Sequence, residues 1–522
     1  MDISGSLQNI MNKFPDTLKI KDLSPLIDAL EVIKSCSALP EDESGKIFRQ
    51  LYHSLESEKF SARIILRFEL LWHIKDPDYT KNFIDYIIST DELSFSQKYY
   101  LYQQMVSNLF VTPKSSGRNV TLALRSLYAL LYNEFSDYVN VTVDYYKSGE
   151  RNQNLYFVIT NQLLSLSHGP TKTALDRCYE LIKNQKKQVF LINTGEMNTV
   201  TGYFPLLQIY QNKYIEKYSE FEFFPYKDTL IPFIQMPNCT PDYDSAINLL
   251  NTVDNYKPYC IFHIGGRSIL TDLCSRIVPT ISISTVPSGL CTTEGTFQVI
   301  GHPLTSSEKE TLKIFGKPEI HVIESLFTSN FKKQASHITR KDIGLPADKF
   351  ILLVVGARLT FEVTNEFLEA LLPLTEKGAH FAFAGNMDTY GQKCSEYPKL
   401  KAHSTYLGFQ DDMLAVSECC NLYVNPYRIG GGTSVAEAMS KGIPCVSIKY
   451  GDVALGAGGI FCVSNYEEMA KKIEQYMNEP DYYNRMSEAA LKRAKELMDT
   501  HNSFNNILNE FQKRITVLEK DM

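Results

Sequence analysis

Three consecutive glycines, Gly430, Gly431 and Gly432, lie between two uncharged apolar runs and constrain this chain more than any other feature. Upstream is Cys420-Asn-Leu-Tyr-Val-Asn425 and downstream is Gly442-Ile-Pro-Cys-Val-Ser-Ile448. Both have the composition of short buried strands, β-branched or aromatic and bounded by turn residues. Between them, Thr433 to Lys441 lacks Gly and Pro and reads as a helix stopped by Gly442. The order is strand, glycine loop, helix, strand. Backbone N–H groups at such a helix start have no intrahelical acceptor and carry partial positive charge, which suits a phosphate. Thr433 and Ser434 add hydroxyls there, and Glu437, one turn on, has the acceptor oxygens to hold a sugar hydroxyl. Glycine-rich strand-to-helix turns also occur without a ligand, so the rest of the chain must supply the context.

That context is two further α/β segments behind a helical one. Leu23–Ile33, Ser61–Trp72 and Val120–Leu131 carry apolar residues at helical spacing, punctuated by Pro25, Pro77 and Pro113. Residues 1–148 are therefore expected to form an all-helical accessory domain. From there the texture changes to strands at Leu155–Thr160, Gln188–Asn193, Leu230–Ile234, Tyr259–Ile264, Thr280–Ser284 and His321–Ile323. Helices at Thr173–Asn184 and Tyr243–Thr252, and the segment Ser268–Arg276, provide crossovers of a parallel sheet over 149–335. A second such domain, 336–498, starts with the strand Phe350–Val355. It continues through a helix Glu366–Thr375, strands His380–Ala384 and Ser404–Gly408, a helix Asp411–Glu418 and the opening unit. Tyr466–Met477 and Tyr482–Lys520 read as helices. The fold class is α/β, two Rossmann-like doubly wound domains behind an all-α N-terminal domain.

The totals exclude several functions. The 522 residues carry a net charge of −7, which does not fit a general nucleic-acid binder. No apolar run approaches membrane-spanning length, and the start, Met1-Asp-Ile-Ser-Gly5, is not a secretory signal. The eleven cysteines, Cys239 among them, include no Cys-x-x-Cys pair. That pattern implies reduced thiols in a cytoplasmic protein.

The string Gly-Gly-Gly-Thr-Ser-x-x-Glu-Ala-Met-x-x-Gly-Ile-Pro-x-Val resembles the donor-nucleotide segment of GT-B glycosyltransferases, in particular those of family 4. The helical domain ahead of two Rossmann-like domains is similar to bacterial cytoplasmic protein glycosyltransferases. The resemblance implies transfer of a hexose or N-acetylhexosamine from a nucleoside-diphosphate sugar, UDP-sugar first among them, to a polypeptide acceptor. The alternatives are a surface-polysaccharide or lipid-linked glycan acceptor, and a catalytically inactive GT-B partner subunit. It further implies that no cofactor or metal is required beyond the donor, and that residues 499–522 form a helix crossing back to the first Rossmann-like domain.

Open α/β sheets bind ligands at the C-terminal ends of their strands, and the candidates lie there. The resemblance places Arg358 and the loop Gly430–Ser434 on the donor diphosphate and Glu437 on the ribose. It places Leu407 and Gly408 along the base, and Asn386 at the sugar end. The lysine that often follows the arginine in the family is missing from Thr360–Asn365, which leaves Lys441 and Lys449 as candidates to complete the cation pair. His263, at the end of its strand before Gly265-Gly266, and His168, in His168-Gly-Pro-Thr-Lys172, are the candidates for acid/base work on the acceptor side. His302 reads as a loop residue. Retaining family 4 enzymes carry a first glutamate at the position of Ile429, so the retaining or inverting outcome stays open.

Overall fold

In a computed structural model of the chain, the described residues are 10, 13–14, 22, 24–111, 115–166, 168–196, 214–237, 241–286, 289–328 and 333–520. Met1–Gly5, Leu23, Pro113, Ser167 and Cys239 lie outside them. Among the described residues six α-helices come first: α1 (Ser24–Cys36), α2 (Glu41–Ser54), α3 (Phe60–Ile74), α4 (Pro77–Ser89), α5 (Phe95–Val111) and α6 (Arg118–Val139). Their starts follow local chemistry where caps exist. At α4, Asp76 accepts a hydrogen bond from Asp78 N and Pro77 occupies the first turn, where its missing N–H costs nothing.

The helices do not enclose a core of their own. Their buried residues, such as Phe68, Leu101 and Leu127, merge into one cluster with Leu155, Phe157, Ile159 and Ile261 of the following sheet. Buried polar contacts reinforce the seam: Tyr128 OH donates to Asp272 Oδ2 at 2.6 Å and Tyr99 OH to Glu196 Oε1 at 3.1 Å.

That sheet has eight strands: β1 (Asn152–Thr160), β2 (Gln188–Asn193), β3 (Phe223–Tyr226), β4 (Thr229–Gln235), β5 (Pro258–Ile264), β6 (Thr280–Ile283), β7 (Phe297–Ile300) and β8 (Val322–Glu324). Their order is β3-β4-β2-β1-β5-β6-β7-β8, parallel except for the β3–β4 hairpin. Uninterrupted burial of Leu155–Thr160 fits a central parallel strand covered on both faces. β3 and β7 were not read from the sequence: each is short and its apolar run is interrupted, by Pro225 and by Gln298. The crossovers α7 (Gly169–Lys183), α8 (Tyr243–Tyr256) and α9 (Ile269–Cys274) follow β1, β4 and β5. α7 starts four residues before the sequence suggests, because Pro170 fits its first turn.

The second sheet is all parallel, in the order β11-β10-β9-β12-β13-β14. Its strands are β9 (Phe350–Gly356), β10 (Ala379–Gly385), β11 (Ser404–Gly408), β12 (Leu422–Asn425), β13 (Cys445–Ile448) and β14 (Cys462–Val463). The glycine-loop helix, α10, spans Gly432–Ser440. The final helical stretch is two helices, Pro480–Met498 and Thr500–Leu518, broken at Asp499, which caps Asn502 N. The last of them lies on the first sheet: Phe504 packs on Phe262 at 4.9 Å and Phe511 on Phe297 at 5.5 Å. Glu519 ends it in a buried ion pair with Arg151, 2.7 Å. The chain thus returns to its first sheet, with the strand C-termini of both sheets facing one cleft.

Candidate active site

The cleft between the sheets has a volume of about 1700 Å³. Pockets of about 300–1,000 Å³ suffice for most small ligands, so this one has room for a nucleotide sugar and part of a second substrate. It has a C-terminal wall, built on β9–β13, and an N-terminal wall shared by the first sheet and helices α5 and α6.

On the C-terminal wall the glycine loop is held from behind. Gly431 has φ +109°, and a Cβ there would come within 2.6 Å of Arg428 Nη2 and 2.9 Å of Val453, so only glycine fits. Arg428 is buried and fully engaged: Nε donates to Asn425 Oδ1 (2.7 Å), Nη1 to Glu362 Oε2 (2.8 Å) and Nη2 to Tyr423 OH (2.9 Å). The other oxygen of Glu362 accepts from Arg358 Nη2 at 3.0 Å. Arg358 lines the cleft beside Gly430, and the Phe110 ring of α5 lies 4.3 Å from its guanidinium. Gly430, Gly431, Gly432 and Thr433 line the cleft as well. Ser434 also reaches it, but its hydroxyl donates to Gly431 O (2.9 Å) and bonds Tyr423 OH (2.8 Å). It closes the loop on itself rather than offering a free donor to a phosphate.

Glu437 lines the cleft one turn into α10. Burial holds its carboxyl above the usual carboxylate range, against the pull of Lys172 on the opposite wall. Asn386 sits at the end of β10, where its N–H donates to Gly356 O at 3.1 Å. A Cβ on Gly385 would lie 2.0 Å from that same carbonyl. The Leu407 and Gly408 placement differs from expectation: neither lines the cleft, whereas Tyr406, Phe409 and Gln410 do. The Leu407 carbonyl is already taken by Gln410 Nε2, 2.6 Å away. Lys441 and Lys449 also stay out of the cleft. Lys441 is paired with Glu418 at 2.8 Å. Asp412 caps its helix through Ala415 N.

On the N-terminal wall, His168 lines the cleft just ahead of α7, with Nδ1 3.1 Å from Thr171 Oγ1. Burial pushes its imidazole down to about 4, so at neutral pH it is uncharged and has a lone pair to accept a proton. His263 is not at the surface of the cleft. It is fully buried one layer beneath, with Nδ1 3.3 Å from Ser282 Oγ and Nε2 facing the underside of Gly265. Burial, assisted by the nearby Arg267 cation, takes it down to about 3. The sequence placed it at a strand end, which is where it is, but the Gly265-Gly266 turn folds over it. His302 is on an exposed loop, 3.5 Å from Glu308.

Among the cleft residues not foreseen are Arg428, Glu362, Phe110 and Arg267. Arg428 and Glu362 had local signals, an arginine just ahead of the glycines and a glutamate four residues after Arg358. Phe110 and Arg267 had none, because what brings them to the cleft is the docking of α5 and the turn after β5. Among the described residues no three His, Cys, Asp or Glu side chains cluster as a metal site, and no helix is long and apolar enough to cross a membrane.

Two parallel sheets presenting strand ends to a shared cleft, with the last helix returned to the first sheet, define the GT-B fold. Residues 336–493 match the family described as Glycosyl transferases group 1. The chain has the GT-B fold and carries a glycosyltransferase domain over those residues. It is 23% identical over 269 residues to a UDP-N-acetylglucosamine–N-acetylmuramyl-(pentapeptide) pyrophosphoryl-undecaprenol N-acetylglucosamine transferase of Thermodesulfovibrio yellowstonii, covering 47% of this chain and 72% of that one. Among solved structures, an O-GlcNAc transferase of Thermobaculum terrenum is similar over 99% of this chain and 98% of its own, with TM-score 0.56 and 9% identity. A glycosyltransferase from Rickettsia africae is similar over 71% and 100%, with TM-score 0.51 and 13% identity. At these identities the structures speak for the fold alone.

Proposed function

We propose that this chain transfers a hexose or N-acetylhexosamine from a UDP-sugar to a polypeptide in the cytoplasm. The observation that carries the donor half is the glycine loop and helix start beside Arg358. Amides and a cation meet there at the place where negative charge grows as the sugar–phosphate bond breaks. Glu437 takes the ribose hydroxyls and Asn386 faces the sugar. In the transfer, a nucleophilic atom of the acceptor bonds to the anomeric carbon, the bond to the diphosphate oxygen breaks, and the acceptor's proton passes to His168. His263, beneath the Gly265 turn, supports that floor rather than touching substrate.

The acceptor half rests on α5 and α6. They line the cleft with Tyr102, Val106, Leu109, Phe110 and Leu124, a surface that suits an extended chain with apolar side chains. The thiols support a reducing compartment: among the described residues every cysteine is free, and only Cys462 is not buried. A lipid-linked glycan is the second reading, favoured by the same apolar wall.

The test is a panel of radiolabelled UDP-, GDP- and ADP-sugars, scored first for thermal stabilisation and hydrolysis. The stabilising donor is then offered with unfolded polypeptides and with polyprenyl-linked saccharides. Label in polypeptide supports the proposal; label only in the lipid fraction replaces it. Unchanged donor affinity in Glu437→Ala removes Glu437 from the ribose.

A further inference from the structure

The two walls of the cleft differ in charge. All the carboxylates that line it, Glu362, Asp411, Asp412, Glu437 and Asp452, are on the C-terminal wall. Among the described residues the N-terminal wall carries no carboxylate; its cations are Lys172 and Arg267, with Lys333 on the stretch that joins the two sheets. This occurs in a chain with 60 acidic and 53 basic residues. Lys172 faces Glu437 across the cleft. Arg267 faces no acid: among the described residues no carboxylate lies within 4.0 Å of it, and its buried Nε has no hydrogen-bond partner. Of the residues outside the described ones, those between 24 and 520 contain no Asp or Glu, and the terminal ones include Asp2, Asp16 and Asp521. A guanidinium half-enclosed in protein and without a counter-charge is costly to hold unless an anion joins it.

The donor diphosphate has Arg358 as its cation in the reading above. The phenol of Tyr102 feels the charge of Arg267 together with those of Arg125, Asp272 and Glu196, and Arg358 sits under Phe110. Both rings belong to α5, eight residues apart. At about 1.5 Å per residue that is about 12 Å along the helix. Val106, Leu124 and Leu290 line the same cleft.

We propose that Arg267 anchors an acceptor subsite for a carboxylate, so that the polypeptide acceptor carries an Asp or Glu close to the modified residue. This rests on the polypeptide reading above. The guanidinium fork matches a carboxylate with two parallel hydrogen bonds, and the apolar wall beside it takes the neighbouring side chains. A donor chosen by the screen above is offered with synthetic peptides that centre Ser, Thr or Asn and differ only in flanking Asp/Glu, Ala or Lys. Enzymes are the wild type, Arg267→Lys, Arg267→Gln and Arg267→Glu, with UDP affinity measured in parallel.

The wild type is expected to favour acidic over neutral peptides by about tenfold or more. Arg267→Lys keeps a preference of the same sign, Arg267→Gln brings the ratio close to one without weakening UDP, and Arg267→Glu turns it toward Lys peptides. Peptides modified with no acidic preference, or a preference that survives Arg267→Gln, overturn the subsite alone. UDP affinity lost in Arg267→Gln assigns the residue to the donor and overturns it too. Polyprenyl-linked saccharides labelled while no peptide is labelled overturns the polypeptide reading, and the subsite with it.

Discussion

The two walls of the cleft manage charge in opposite ways. The C-terminal wall keeps its charges and pairs them: Arg428, Glu362 and Arg358 form a continuous bonded chain behind the glycine loop. The N-terminal wall suppresses them. His168 and His263 are driven neutral by burial, and Glu196, under the start of α9, is held up to about 7. A preset array of cations and amides needs little rearrangement when a diphosphate leaves, whereas a wall with uncharged histidines, cations and no carboxylate among its described residues leaves its charge for the acceptor to complete.

The sharpest way to break this contrast is Arg428→Met. It strands Glu362 and Asn425 in a buried site, so a loss of about 3–5 kcal/mol in denaturant unfolding is expected; adding Glu362→Leu should recover part of it. A loss below about 1 kcal/mol would show that the chain of ion pairs is not structural.

Next in size is the pH response at the other wall. Between about 4.5 and 7 the native Glu196 binds more protons than the unfolded chain, so its contribution to stability declines as pH rises through that window. Glu196→Gln should flatten the decline by up to about 3 kcal/mol, read from unfolding midpoints at pH 5 and 7.5. His168 and His263 act with the opposite sign. The unfolded chain binds their protons first, below 6.5, so they lower stability as pH falls toward 4 and 3.

Arg358→Gln should weaken UDP by about ten- to a hundredfold and UMP by less, since the arginine is assigned to the diphosphate and UMP has a single phosphate. Equal losses for both would move it away from the diphosphate. The smallest effect is for Phe110→Ala. Removing a ring that holds the Arg358 guanidinium is worth about 0.5–1 kcal/mol, a two- to fivefold rise in donor KM with kcat nearly unchanged. An effect on kcat alone would place Phe110 on the acceptor instead.

Much of this was legible from the chain. The glycine loop, its flanking strands and helix, the two sheets and the helical lead are written in short-range patterns: apolar runs, turn residues and helical spacing. Arg358, His168 and Glu437 follow from their places at strand ends or at helix starts, and each lines the cleft. What the tertiary structure alone decided is which way shared features face. His263 ends its strand as read, but the Gly265-Gly266 turn and Asn161 close over it. Ser434 bonds Tyr423 on β12, and Leu407 gives its carbonyl to Gln410. Phe110 and Arg267 reach the cleft through contacts between segments more than a hundred residues apart. Local sequence sets backbone conformation and periodicity. Exposure, pairing and the charge of a wall are sums over distant residues, and only packing brings those together.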